Sequence, residues 1–356
     1  MDKKRKGRIF KLLILLFFFV LGCIIVISAG GDILEEIRGL DPWFLGLAIT
    51  CYLGLHLAWG IKFFLLVRRK VKRAYFPYVL LANMAGNFIN ITTPSGRMAG
   101  EPVRASTIAS RYGVRFSTVF AAAMMDKASL TIALLILLIP MSIYASVTFN
   151  LPPALQYMTI GFVLFWLVIG TASYVIFRNL KERRSMKMGS FVHRISRFFL
   201  GKRSKDKDYF IRKAKSGIRE FKESFGFLAK SPIYMVVDVF LGLLTYGFRF
   251  AAAYMFFQAA GHDVDLLPVA TVVMIAFSIG LISQMPGMIG VAESTMWGLY
   301  LAVGIRPTLA ITISVLTQMN SYIFEIGLGY VAMVVLNILL SRYRARKRRA
   351  SAPQVA

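Results

Sequence analysis

Hydrophobic residues in this chain fall into long blocks separated by short charged stretches. The blocks at 9–28, 43–67, 121–144, 159–177, 233–258 and 308–340 each reach or exceed the roughly 18 residues of a spanning helix. They predict an all-α, polytopic membrane protein with about six full spans. Two further stretches, 77–115 and 268–306, are apolar but broken. The first offers only residues 78–91 before its break and places Asn83, Asn87 and Asn90 within them. The second breaks at "QMPGMIGVAEST" (284–295), and in both stretches a glutamate follows a proline by seven positions. Such segments predict helical hairpins that dip into the membrane and turn back. Irregular backbone at that depth is tolerated only against protein or a water-filled cavity. Two closely packed full spans are the other reading of each stretch.

Composition agrees with the pattern. The chain has 356 residues, 57% hydrophobic, with a mean hydropathy of +0.63, whereas a soluble domain lies nearer half apolar. A net charge of +26 raises nucleic acid as a partner, but position argues for a membrane surface instead. Of the 43 Lys and Arg residues, 34 lie in four clusters at 3–11, 68–73, 178–230 and 342–349. Excess Lys and Arg marks the cytoplasmic side and also meets anionic lipid headgroups. The apolar run after the basic start is about 20 residues, longer than a signal-peptide core, so an uncleaved first helix is expected. Cys23 and Cys51 both fall in predicted spans, and no metal-binding spacing exists. No cofactor is expected.

The basic clusters fix a topology. The chain divides into a basic start, first helix and acidic external loop (1–42), a first half (43–177), a basic interfacial segment (178–231), a second half (232–341) and a basic tail (342–356). Both termini are placed in the cytoplasm of a prokaryotic cell, at the plasma membrane. In this arrangement 77–115 begins and ends inside, and 268–306 outside.

The two halves align. "WGIK" (59–62) matches "YGFR" (246–249), and "PSGRMAGE" (94–101) matches "PGMIGVAE" (286–293). "GVRFSTVFAAAMMDK" (113–127) matches "GIRPTLAITISVLTQ" (304–318). With opposite starting sides, these are inverted-topology repeats, an arrangement that puts a transport site at the repeat interface near the midplane.

Charges inside the membrane are the informative ones, since each costs several kcal/mol unless paired or hydrated. They are Lys62, Arg97, Glu101, Asp126, Lys127, Arg249, Glu293 and Glu325. The bland reading is that they pair with one another and lock the repeats together. Arg97 and Glu101 are spaced to pair along a helix face. Adjacent Asp126 and Lys127 point about 100° apart and need different partners. Proline followed by small residues suits a broken helix whose free N–H groups receive phosphate or carboxylate. His56, His193 and His262 are scattered and read as incidental, and no nucleotide-binding loop or nucleophile elbow is present.

At "TPSGRMAGEPVRA", "MMDKAS" and "MPGMIGVAES" the sequence resembles the flippase-like membrane domain of lysylphosphatidylglycerol synthases, the multiple peptide resistance factor family. The resemblance covers about residues 10–340. It implies translocation of a lipid between leaflets, sometimes an aminoacylated phospholipid. Relatives fused to glycosyltransferases imply a polyprenyl-linked sugar. The chain leaves no room for the soluble aminoacyl-transfer domain, so synthase activity is not expected.

The expectation is therefore a lipid translocator, not an enzyme. A lipid phosphate is placed between the hairpin tips near Ser95, Gly96, Arg97 and the Gly287 backbone, with Gly100, Pro286 and Gly290 shaping the tips. Glu101, Glu293, Asp126 and Glu325 meet a cationic headgroup or carry protons. Arg104, Lys127 and Gln318 complete the lipid-binding set, while Lys62 and Arg249 balance the carboxylates. Two other classes stay open: a membrane-embedded lipid-modifying transferase, and an accessory subunit of a cell-envelope glycosyltransferase. The expected partners are membrane lipids and such an enzyme, not nucleic acid. Sequence leaves the oligomeric state open.

Overall fold

The computed structural model describes residues 35–93, 97–149, 230–283 and 285–350, with parts of 160–171 and 216–228. The expected spans at 9–28 and 159–177 fall wholly or mostly outside these residues, as does most of the basic segment 178–231. The described residues form helices and turns, with no strand among them. In chain order the helices are α1 (Pro42–Lys70), α2 (Phe76–Thr92), α3 (Gly100–Tyr112), α4 (Phe116–Thr148), α5 (Pro232–Ala259), α6 (Leu266–Ser283), α7 (Val291–Ala302), α8 (Pro307–Tyr322) and α9 (Gly329–Ala350). A 3-10 turn, Pro286–Met288, separates α6 from α7, and a π-helical segment, Ile323–Leu328, joins α8 to α9.

Five stretches among the described residues are long and apolar enough to cross a membrane: α1, α4, α5, α6 and Pro307–Arg342. Four answer to predicted spans. The fifth, α6, was read from sequence as one arm of a hairpin, yet its 18 residues meet the length of a span. The outer face of α1 carries Ile49, Leu53, Leu57 and Ile61, all exposed and each four residues from the next. A contiguous apolar stripe turned outward is what contact with lipid requires.

Local sequence sets the helix ends. The Asp41 carboxylate accepts the Trp43 N–H at 2.8 Å, and Pro42 occupies the first turn, where its missing N–H costs nothing. Arg68, Arg69 and Lys70 end α1, where the helix dipole favours cations. Pro232 and Pro307 start α5 and α8 in the same way.

Helices α1 and α5, which carry "WGIK" and "YGFR", pack antiparallel along their whole length. At one end the Asp41 N–H donates to the Ala259 carbonyl at 2.8 Å. Midway, Gly54 leaves room for the Phe248 ring, 2.8 Å from where a Cβ would sit. At the other end the Arg69 guanidinium lies 4.2 Å from the Tyr234 ring centroid.

Helices α2 and α3 form a tight antiparallel pair whose open ends meet where the Tyr75 N–H donates to the Tyr112 hydroxyl at 2.9 Å. At 1.5 Å per residue they are about 26 and 20 Å long, short of the roughly 30 Å of a hydrocarbon core. Near the tip Gly86 and Gly100 face each other so closely that a Cβ on Gly100 would run into the Gly86 carbonyl oxygen. The Gly100 N–H donates to Asn90 Oδ1 at 2.6 Å. In the second unit, Met288 of the 3-10 turn folds back on Gly280 of α6, its Sδ 2.6 Å from an added Cβ.

The close approach at Gly100 sets a stability test. Gly100→Ala should cost about 1–3 kcal/mol through overpacking and lower the melting temperature in detergent. Gly46→Ala, whose added methyl meets nothing within 4 Å, should be neutral or stabilising. Equal melting temperatures for the two variants would show that the α2–α3 contact is not tight.

Candidate functional site

Buried charges gather in two groups. The first joins α1, α3, α4 and α5. Lys62, fully buried, donates to Asp126 Oδ1 at 2.6 Å and to the Asp126 carbonyl at 2.8 Å, and lies 3.3 Å from an Asp238 oxygen. The other Asp126 oxygen accepts from Arg104 at 2.8 Å and from the Trp59 indole at 3.3 Å. Arg104 also pairs with Glu101, donates to Asn83 at 2.7 Å and stacks on Phe63. Lys127 lies 3.1 Å from Glu101, and Ser129 donates to Asp238. Lys62, Arg104 and Lys127 thus face Glu101, Asp126 and Asp238, and the group is electrically neutral.

The second group sits at the meeting of the two hairpin tips. Arg97, just ahead of α3, reaches Glu325 of the π-helical segment at 3.0 Å, and Arg249 of α5 lies 3.6 Å from the same carboxylate. Both guanidinium groups also lie against the Phe277 ring of α6, at 5.4 and 4.7 Å from its centroid. Ser321 donates to Glu325 at 3.2 Å. Two cations and one carboxylate leave this group with an excess positive charge. It borders a narrow cleft lined by Asn90, Thr93 and Arg97 from the first tip and by Gly280, Leu281, Met285, Gly287 and Met288 from the second.

The backbone is unusual on both sides of this cleft. Arg97 has φ +61° and Met288 φ +60°, the left-handed region that L side chains avoid. Gly287 and Gly290 have φ +66° and +79°, where glycine carries no such penalty.

The expected site residues sort accordingly. Ser95 and Gly96 lie outside the described residues, as does Pro94. Arg97, Gly287 and the excess-charge group converge at the cleft, and Pro286 and Gly290 flank it in the second tip. Glu101, Arg104 and Asp126 are at most 2% exposed and belong to the neutral network, away from the cleft lining. Lys127, more open at 20%, joins them through Glu101. Lys62 and Arg249 do balance carboxylates, one in each group.

Arg97 does not pair with Glu101 as their spacing predicted. Arg97 precedes the helix in a left-handed turn, so the geometry of a continuous helix face never applies. Glu293 accepts the Gly290 N–H at 2.8 Å and the Tyr322 hydroxyl at 2.9 Å. It shares no described partner with Glu101. Gln318 is buried and donates to the Tyr322 hydroxyl at 3.4 Å.

Two contributors escaped the sequence reading. Asp238 is a carboxylate inside a predicted span, a visible signal that went unused. Phe277 carries no signal, because its role depends on two arginines from other elements. His56, read as incidental, is 3% exposed and stacks on Phe324 at 5.9 Å.

The chain is similar in sequence to several known membrane proteins. A UPF0104 membrane protein of Pyrococcus horikoshii is 28% identical over 297 residues, covering 83% of this chain and 87% of that one. One from Methanothermobacter thermautotrophicus is 27% identical over 336 residues, covering 93% and 95%. A third, from Methanocaldococcus jannaschii, is 25% identical over 331 residues, covering 91% and 94%. No solved structure matches. The family model of the lysylphosphatidylglycerol synthase TM region matches residues 8–329, nearly the whole chain, and the protein therefore belongs to that membrane-protein family.

Proposed function

We propose that the protein moves a phosphate-bearing lipid, a phospholipid or a polyprenyl-phosphate-linked one, between the leaflets of the cell membrane. The observation that carries this reading is the excess positive charge beside a cleft between two broken-helix tips. A buried cation without a matching carboxylate is costly in a membrane, and an anionic headgroup supplies the missing charge. Arginine adds the bidentate fork that suits phosphate. The neutral network around Asp126 is assigned a structural role instead.

The antiparallel packing of α1 against α5 supports inverted repeats, because the elements carrying "WGIK" and "YGFR" must run in opposite directions under that symmetry. In this arrangement α2–α3 and α6–α7 are re-entrant hairpins, the first opening to the cytoplasm and the second to the exterior. The basic ends of α1 and α9 set the cytoplasmic side. The cleft is narrow and holds little more than a water molecule, so admitting a headgroup requires the tips to separate. The site moves a lipid without making or breaking a bond in it.

The test is lipid flipping by the purified protein in liposomes. Arg97→Ala should slow flipping about 10–100-fold, the loss of one charge-assisted contact, with little change in melting temperature. Arg97→Lys should recover part of the rate. Wild-type flipping in the folded alanine variant would remove Arg97 from the site.

The neutral network should respond in the opposite sense. Lys62→Met strips Asp238 of its cation and leaves Asp126 with Arg104 alone; it should cost about 3–5 kcal/mol of stability, and any loss of flipping should track the unfolded fraction. A stable Lys62→Met protein that no longer flips lipid would place this network in transport.

Topology is open to cysteine labelling in intact cells. Cysteines at Arg73 and Arg115 should react from the cytoplasmic side, and one at Arg306 from outside. Opposite sides for Arg73 and Arg115 would rule out the first re-entrant hairpin.

A further inference from the structure

We infer that Asp238 is a proton-controlled latch. Ionised, its carboxylate ties α5 to α1 and α4, and a proton taken up from the cytoplasmic side releases the tie. The inference goes beyond the translocation reading, because it concerns what holds α5 in place and not what the cleft binds.

Three buried carboxylates share the network, and they are unequally compensated. One Asp126 oxygen accepts from Lys62 at 2.6 Å, and the other accepts from Arg104 at 2.8 Å and Trp59 at 3.3 Å. Glu101 also faces two cations, Arg104 and Lys127, and accepts from the Asn90 amide at 3.4 Å. Asp238 has one cation, Lys62, and shares it. Lys62 gives two of its three N–H groups to Asp126 and lies 3.3 Å from Asp238 Oδ2. Ser129 donates to that same oxygen. Asp238 Oδ1 is buried and has no hydrogen-bond partner among the described residues. The other helices packed on α5 supply no charge to make up the difference, since α6 and α8 contain no Asp, Glu, Lys, Arg or His.

Protonating Asp238 is the change that disturbs the network least. A proton on Oδ1 weakens one contact at 3.3 Å, and Lys62 keeps both of its bonds to Asp126. A proton on Asp126 would instead forfeit charge-assisted bonds at 2.6 and 2.8 Å. Once neutral, Asp238 is no longer held to Lys62 by charge. Its new O–H is also a buried donor that finds no acceptor in this packing. Proton uptake and a shift of α5 therefore favour each other. The proton has a short way to travel. Asp238 lies six residues into α5, about 9 Å from Pro232, at the end proposed to face the cytoplasm.

The latch reaches the cleft through α5 itself. Asp238, Gly242, Thr245 and Arg249 are all buried and succeed one another at steps of four, three and four, so they share one helix face. Gly242 lets that face lie directly on α4, where an added Cβ would stand 3.1 Å from the Ala133 Cβ. Arg249, about 16 Å further along the helix, approaches Glu325 beside the cleft. Three helical turns move as one rod, so release at Asp238 is felt at Arg249.

The test follows the proton and the lipid separately, on the full-length protein in liposomes. Infrared spectra should show a neutral-carboxyl band that grows as pH falls from about 8 to about 5 and is missing from Asp238→Asn. Flipping of fluorescent phosphatidylglycerol should rise about threefold or more over the same range in the wild type. Asp238→Asn imitates the protonated side chain and should flip at the low-pH rate throughout. Ser129→Ala removes a donor to the ionised form, so its rate profile should move to higher pH.

Wild-type spectra in which no neutral-carboxyl band depends on Asp238 would overturn the inference, as would a flat wild-type flipping profile. A folded Asp238→Asn that keeps the wild-type pH dependence would do the same. Should that variant not fold, an unmoved profile in Ser129→Ala would place the titrating group elsewhere and overturn it too. An Asp238 infrared titration in a protein that flips no lipid would support proton binding and count against translocation alone.

Discussion

The carboxylate of Asp126 is the point on which the helix arrangement depends. It takes Lys62 and Trp59 from α1 and Arg104 from α3, and Lys62 extends the connection to Asp238 of α5. In lipid no water repairs a stranded charge, so each partner is held by the cost of losing the others. Hydrophobic packing cannot fix helix positions this way, because lipid tails are as apolar as the side chains they would replace. The polar network therefore sets the register of four helices, and apolar side chains fill the space that register leaves.

From that frame the hairpin tips are held at fixed places. The first tip is tied down by the Asn90–Gly100 hydrogen bond and the Gly86–Gly100 approach. The second is tied by Met288 seated on Gly280 and by Tyr322, whose hydroxyl reaches Glu293. The two tips face each other with different chemistry: the first supplies Arg97, while the second supplies glycine backbone and Met288. The contrast between a neutral interior and a positively biased cleft follows from where each carboxylate is placed, not from how many the chain contains.

Much of the architecture was legible because lipid imposes simple rules on sequence. Long apolar runs marked α1, α4, α5 and the Pro307–Arg342 stretch, and proline with glycine marked the breaks. What stayed hidden were the pairings. Arg97 and Glu325 are 228 residues apart, and no local spacing joins them. The spacing rule for Arg97 and Glu101 misled because it presumes a continuous helix, and the chain turns left-handed at Arg97. Glu101 and Glu293 hold equivalent positions in the sequence alignment yet have different partners, since the counterparts of Arg104 and Lys127 are the uncharged Met296 and Gln318. A shared alignment position carries over backbone placement but not electrostatic surroundings.

The π-helical segment Ile323–Leu328 gives the chain one residue of slack in the middle of its last long helix. Hairpin α2–α3 meets this segment through the Arg97 contact with Glu325, and meets the residue that follows it, Gly329, at Phe88 and the Met84 carbonyl. Tightening the segment into regular α-helix would rotate Glu325 relative to Gly329 by about 100°, the turn per residue of an α-helix. One of the two contacts would then be lost unless the hairpin moved with it. The last helix and the first hairpin are geared together, so the tip that carries Arg97 cannot shift without changing the winding of a helix more than two hundred residues away in the chain.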